Sequence, residues 1–318
     1  MKSISSRDIV KIVSLVAVVS CNSCKDNNPL PPSYGDEPVY PAVDGYPSWS
    51  PDGSNIIYNH AGITKIYQGG ASASNPDSAG LWIMDADGSN QRLLMKGDYY
   101  DADWSPDGQW IVMNFGLQIY KMKLNSDSLI QLTFSGNNFF PDWSPDGRWI
   151  AYSASYPEGY AGLWIIPETG FGNSARKLGG GAWPNWHPNG RLIIGVIGTS
   201  PTSIWTRFVQ YHPFDTLKSD TLAGIIGNDN RSPRYSPNGT QIAFWSKGTL
   251  WVMDTLGYHL KQLTTQGAAE SLDWSPDGMK IVYVNYSFKN YDPKNNGTVW
   301  LMNADGANKH QLTYGPNP

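Results

Sequence analysis

The chain has 318 residues, 40% of them hydrophobic and 13% aromatic, with 23 Lys and Arg against 27 Asp and Glu for a formal net charge of −4. That sign leaves no electrostatic footprint for nucleic acid, whose binding is dominated by phosphate neutralisation. Cys21 and Cys24 are the only cysteines, so no disulfide framework braces the large domain that follows them.

In chain order, residues 1–20 come first, with Lys2, Arg7 and Lys11 around the apolar run Ile12 to Val19. The run is too short to span a bilayer and has the proportions of a secretory signal. Val18-Val19-Ser20-Cys21 resembles the lipobox of bacterial lipoproteins. The resemblance implies cleavage before Cys21 and lipid attachment to it, hence a place in the bacterial cell envelope, at a periplasmic or outer-membrane surface. An ordinary cleaved signal with an incidental cysteine is the alternative. Removing residues 1–20 takes three basic residues and one acidic one and leaves a net charge of −6. Residues 21–44 are proline-rich and are expected to form a flexible tether.

From residue 45 onward one turn recurs: Trp49-Ser-Pro-Asp-Gly53, Trp104 to Gly108, Trp143 to Gly147, Trp186-His-Pro-Asn-Gly190, Tyr235-Ser-Pro-Asn-Gly239 and Trp274 to Gly278. Successive aromatic residues are 55, 39, 43, 49 and 39 positions apart, a period that marks a repeat architecture. Pro sets the first corner of the turn, Asp or Asn tolerates the second, and Gly supplies the left-handed residue. Short β-branched strands follow each turn, such as Asn55 to Tyr58 and Lys280 to Tyr283, and third strands follow those, such as Leu81-Trp-Ile-Met-Asp85. In blade four Ile204-Trp-Thr-Arg207 takes the third-strand place, and Gln-Leu-Thr segments such as Gln131 to Thr133 close most units. Four antiparallel strands repeated six times predict an all-β, six-bladed β-propeller over residues 45–318. The aromatic positions before the turns and in the third strands, ten Trp with Tyr120 and Tyr235, are expected to fill the gaps between blades. Whether Val39 and Tyr40 add a strand that clasps the ring stays open.

The unit, best seen at Leu81-Trp-Ile-Met-Asp-Ala-Asp-Gly88 beside the Trp-Ser-Pro-Asp-Gly turns, resembles the TolB-type WD-like propeller repeat. The resemblance covers roughly 270 residues by repeat period and implies an envelope propeller that works through protein contacts. TolB itself carries an α/β domain ahead of its propeller, and the interval between Cys21 and the first blade is too short for one, so a role in the Tol–Pal system does not carry over.

Catalytic signals are sparse. No Gly-x-Ser-x-Gly elbow is present. His60, His187, His212, His259 and His310 occupy unlike positions of the repeat with no zinc spacing, so no metal, cofactor or enzymatic activity is expected, and a metal-dependent lyase is the weakest reading. Asp85 to Asn90 and Asn303 to Asn308 begin like calcium loops but lack the closing Glu, which favours plain hairpins.

With the pre-turn strand innermost, the Pro-Asp-Gly turns and Asp-Gly hairpins share one uniform, polar face, and the long insertions 60–80, 153–162 and 285–297 share the other. That second face also receives Tyr46, Tyr99, Tyr100, Phe139, Phe140 and Trp183, with Arg231 and Arg234 in blade five. Aromatic residues with Arg near a central mouth suit a protein or glycan anchor, although they also suit packing at the channel entrance. The leading expectation is a monomeric, lipid-anchored, non-enzymatic propeller that binds an envelope or surface protein. The alternative is a carbohydrate-binding or carbohydrate-processing surface lipoprotein, favoured by the Tyr-rich loops 67–80 and 286–291.

Overall fold

The computed structural model describes residues 44–314 apart from 62, 67–71, 75–76, 127, 156–158, 171–174, 201–202, 216–217, 223–228, 266 and 286–296. Residues 1–43, which include the expected signal segment, the expected lipid-attachment residue Cys21, the expected tether, Val39 and Tyr40, therefore lie outside the described residues, as does much of the two Tyr-rich loops.

The Ser-Pro-Asp-Gly turn builds itself from local hydrogen bonds. In blade one Gly53 N–H donates to Ser50 O (2.9 Å), the Ser50 hydroxyl donates to Asp52 Oδ1 (2.6 Å), and Asn55 N–H donates to Ser50 Oγ (2.9 Å). Ser54 N–H closes on the same Asp52 oxygen at 3.0 Å. The set recurs at Ser105–Asp107, Ser144–Asp146, Ser236–Asn238 and Ser275–Asp277. Hydrogen bonds from the serine hydroxyl, above all, hold Asp52, Asp107 and Asp277 below the usual carboxylate range. In blade four His187 replaces the serine; its Nδ1 faces Asn189 N (3.2 Å), and its ring stacks edge-on against Tyr235 of the next blade at 4.7 Å.

Each turn joins an inner strand to a second strand. The inner strands are Asp44–Trp49, Tyr99–Trp104, Asn138–Trp143, Ala182–Trp186, Asn230–Tyr235 and Ala268–Trp274. Each pairs antiparallel with the strand after the turn, which pairs with a third strand and then an outer strand, giving six four-stranded sheets arranged in a ring. Among the described residues there is no helix, and a two-stranded hairpin, Ile63–Ile66 with Ser72–Ser74, rises from the first long insertion.

The Gln-Leu-Thr signature also has a mechanism. Thr133, Thr264 and Thr313 each accept the N–H of the third strand through Oγ1 at 2.8 Å, supplying a ladder bond where the outer strand ends. Gln131, Gln262 and Gln311 fold their side-chain amides onto the carbonyls of those threonines. Leu132, Leu263 and Leu312 are buried and meet Gly170, Gly306 and Gly88 of the following blade. Six hydrophobic clusters result among the described residues, one at each seam between blades, and the pre-turn aromatics Trp49, Trp104, Trp143, Trp186, Tyr235 and Trp274 are buried in them.

Two expectations need correction. In blade four the third strand is Ser203–Tyr211, and Val209, not Trp205, pairs with Gly195 at the place where Trp82 pairs with Tyr58 in blade one. The blade-four hairpin is longer, and Gly195 leaves a gap that Leu163 of blade three fills, so no aromatic residue is needed there. The turn-bearing face is also less polar than expected: Phe214, Leu256, Tyr258 and Met279 are exposed on its hairpins and turns.

Gly162 opens the third strand of blade three at φ +136, and a Cβ there would stand 2.1 Å from the carbonyl oxygen of Gly179, a backbone atom that cannot step aside. Gly162→Ala should therefore destabilise the protein by roughly 2 kcal/mol or more, read as a lower urea midpoint at unchanged slope.

Candidate functional site

The inner strands do not run straight. Five of them carry a non-glycine residue in the left-handed region three positions before the aromatic: Tyr46 (φ 48), Asp101 (φ 54), Phe140 (φ 53), Trp183 (φ 54) and Ser232 (φ 48). The pairing register slips at that point in each, the mark of a β-bulge. Pro47, Pro141, Pro184 and Pro233 follow four of these residues, and a proline, which has no N–H, loses nothing where the ladder is interrupted. The bulge turns its own side chain toward the axis of the ring. Tyr46, Phe140 and Trp183 thereby form one aromatic arc at the mouth of the central channel, with centroids 6.5 Å apart from Tyr46 to Phe140 and 5.2 Å from Phe140 to Trp183. Arg231 lies over Trp183 at 6.0 Å and Trp245 at 5.2 Å while its Nε donates to Asp229 Oδ1 at 2.7 Å.

The other candidates take different places. Tyr99 is buried against Phe115 at 4.9 Å in the seam between blades one and two, and Phe139 is buried beneath Phe140. Tyr100 is half-buried, and desolvation first, then the charges of Asp98 and Asp101, pushes its phenol up. Arg234 stands inside the channel, where Nη1 donates to Pro184 O at 3.3 Å.

Below the mouth the structure shows a feature that the sequence reading did not single out. The residue directly before each pre-turn aromatic lines the channel: Ser48, Asp103, Asp142, Asn185, Arg234 and Asp273, joined by Asp101. Four of these side chains accept the backbone N–H of the next blade's aromatic. Asp103 takes Trp143 (2.8 Å), Asp142 takes Trp186 (2.6 Å), Asn185 takes Tyr235 (2.8 Å) and Asp273 takes Trp49 across the closure of the ring (2.9 Å). At the other two seams Arg234 has no acceptor and the Ser48 hydroxyl donates to Asp103 Oδ1 (3.3 Å). There the indoles take over: Trp104 Nε1 donates to Ser48 O (3.3 Å) and Trp274 Nε1 to Arg234 O (3.2 Å).

The electrostatics follow from enclosure. These carboxyls face a cavity of about 80 Å³ and are walled by protein on every other side. Burial pushes Asp101 up to about 7 and Asp273 up to about 6, against a partial offset from amide hydrogen bonds and Arg234. Burial, then repulsion from Asp142, raises Asp103 well above the usual range, and burial raises Asp142 despite Arg234. Asp101 Oδ2 accepts Phe140 N–H at 3.3 Å, whereas its Oδ1 is buried and accepts no hydrogen bond. Aligning the repeats on their aromatic residue would have exposed this column of channel residues in the sequence.

Among the described residues no histidine lines the channel, and no cluster of His, Cys, Asp and Glu suited to hold a metal ion occurs. The Asp85 to Asn90 loop is a hairpin whose oxygens are engaged internally, with Asn90 Nδ2 on Asp85 Oδ2 (2.6 Å) and Ser89 N–H on Asp87 Oδ1 (2.9 Å). No helix among the described residues is long and apolar enough to cross a membrane.

No family model matches the chain. An uncharacterised protein of Agrobacterium fabrum is 27% identical over 233 residues, covering 66% of this chain and 74% of that protein. Among solved structures, a putative TolB from Agrobacterium tumefaciens superposes with a TM-score of 0.60 at 22% identity, over 71% of this chain and 84% of that one. TolB from Acinetobacter baumannii gives 0.61 at 20% identity, over 83% and 61%. An oligogalacturonate lyase solved with manganese gives 0.54 at 13% identity, over 87% and 79%. By its fold, the chain is a six-bladed β-propeller, similar to the propellers of these TolB structures.

Proposed function

We propose that this chain is a lipid-anchored envelope protein whose propeller binds a partner protein at the loop-bearing face, centred on the channel mouth. The observation that carries this reading is the arc of Tyr46, Phe140 and Trp183 with Arg231 stacked at its end. Aromatic and arginine side chains on a rigid frame are the residue types that anchor protein interfaces, because they offer large contact area at low entropic cost. The lipobox-like Val18 to Cys21 supports the anchor and the envelope location.

A photo-crosslinker at Trp183 in living cells should capture a discrete envelope protein, and one at Met279 on the turn-bearing face should not; equal capture from both positions would overturn the reading. Cys21→Ser should move the protein from the membrane to the soluble fraction, and a variant that stays membrane-bound would remove the lipid anchor from the proposal.

The aromatic arc also suits a sugar, and a lyase shares the fold. The acidic channel weighs against a uronic-acid polymer, which carries charge of the same sign. A glycan array that stays blank disposes of this second reading.

A further inference from the structure

The mouth and the channel beneath it differ in chemistry, and together they select a ligand. The rim carries the aromatics with Asp101 at the equivalent strand position, the residues below are acidic, and the two are one continuous surface: Tyr46, Phe140, Trp183 and Asp101 line it together with Asp103, Asp142 and Asp273. We propose that the channel receives a cationic side chain, an arginine or lysine presented by an extended segment of the protein partner. The proposal rests on the protein-binding reading above and specifies the chemistry of that partner.

Charge complementarity is the first argument. Four carboxyl groups line the floor against a single guanidinium, Arg234, whose Nη1 is engaged by Pro184 O. Arg231, the other cation of this face, sits at the rim with Asp229. Size is the second. A cavity of about 80 Å³ holds several waters at about 10–15 Å³ each on this measure, which leaves room for a guanidinium or ammonium head. The third is Asp101 Oδ1, a buried carboxyl oxygen that accepts nothing from the protein, on a residue that lines the cavity. The fourth is the rim itself, since aromatic faces attract cations, and Arg231 already uses Trp183 in this way.

The same groups give the interaction a pH signature. Facing the cavity are Tyr46 and Ser48 from blade one, Asp101 and Asp103 from blade two with Tyr100 and Asp98 close above, Asp142 from blade three, Asn185 from blade four, Arg234 from blade five and Asp273 from blade six. Burial holds protons on Asp101 up to about pH 7 and on Asp273 up to about pH 6. An incoming cation favours the ionised forms and expels those protons, so binding tightens as pH rises through this range.

The test uses N-acetyl-arginine amide, its uncharged isostere N-acetyl-citrulline amide and N-acetyl-glutamate amide, titrated calorimetrically into the full chain. Only the arginine compound should bind saturably, with proton release, and about tenfold more tightly at about pH 8 than at about pH 5.5. Asp101→Asn and Asp273→Asn, each checked for an intact thermal transition, should weaken it by about tenfold. Equal binding of arginine and citrulline compounds, or binding that neither pH nor these variants change, would overturn the proposal. A randomised peptide array separates it from the reading on which it rests. Retained peptides should be enriched in Arg and Lys. Peptides retained without that enrichment leave protein binding standing and remove the cationic side chain, and an array that retains nothing, together with silent calorimetry, removes both.

Discussion

The protein should be more stable at pH 5 than at pH 8, the reverse of the usual expectation for a chain rich in aspartate. Asp101 and Asp273 have folded-state values raised to about 7 and about 6 by burial, well above the ordinary carboxylate range that applies to the unfolded chain. The folded protein therefore binds more protons than the unfolded chain between about pH 4 and about pH 7, and stability falls as pH rises through that window. At about 1.4 kcal/mol per unit, the loss between pH 5 and 7 is on the order of a few kcal/mol for these two groups, with Asp103 and Asp142 acting in the same direction. The turn aspartates work oppositely. Asp52, Asp107 and Asp277 are held below the ordinary value, so their contribution is present above about pH 4 and disappears in stronger acid. A maximum near about pH 4–5 follows from the two sets together. Scanning calorimetry across this range should show the transition falling by roughly 5–10 °C toward pH 8, and Asp273→Asn should flatten the slope. A transition that rises toward pH 8 would contradict the assignment of the channel carboxyls as raised.

Arg234→Met should be the most damaging single change on the channel surface, and its cost should depend on pH. Arg234 is the common favourable charge for Asp101, Asp103, Asp142 and Asp273. Removing one side of an enclosed charge set leaves the other uncompensated, a loss of about 3–5 kcal/mol where the carboxyls are ionised. At pH 5 the same carboxyls escape by protonation, so the variant should lie much closer to the parent there. Arg231→Met at the rim loses stacking over Trp183 and Trp245 and should cost about 1 kcal/mol or less at either pH. Denaturant midpoints of both variants at the two pH values make the comparison, and equal losses at pH 5 and pH 8 would show that Arg234 acts by packing alone.

The ring was legible because its signals are local. A Ser-Pro-Asp-Gly turn satisfies its hydrogen bonds within six residues, and Gln-Leu-Thr bonds only to itself and to the third strand of its own blade, so each copy carries its meaning within one blade. What failed were features that depend on a neighbouring blade. Trp205 matched the third-strand pattern, yet in that hairpin Val209 pairs with Gly195, and Leu163 of blade three occupies the space beside Gly195. Lys121 occupies a core position of its strand and is accommodated only because Trp110 and Trp143 flank its ammonium at 4.7 and 5.9 Å and Glu168 pairs with it. The candidate site shows the same division. The aromatic candidates were chosen for preceding an inner strand, but the bulge three residues before the aromatic decides which of them face the channel, and it separates Tyr46, Phe140 and Trp183 from Tyr99 and Phe139. The carboxyl column escaped notice because its members vary in type, and its purpose appears only when six blades face one another.

The closure between blade six and blade one is made without any strand exchanged between the ends of the chain, among the described residues. It holds through Asp273 on Trp49 N–H (2.9 Å), Gln91 Nε2 on Leu312 O (3.1 Å) and Asp44 N–H on Gly297 O (2.6 Å), with a shared cluster of Trp49, Ile56, Val282 and Leu301 behind them. These are the same kinds of contact found at the seams the chain crosses. Covalent continuity is therefore incidental to how neighbouring blades recognise each other. Circular permutants cut between other blades should rebuild the same closed ring, with a thermal transition close to that of the parent.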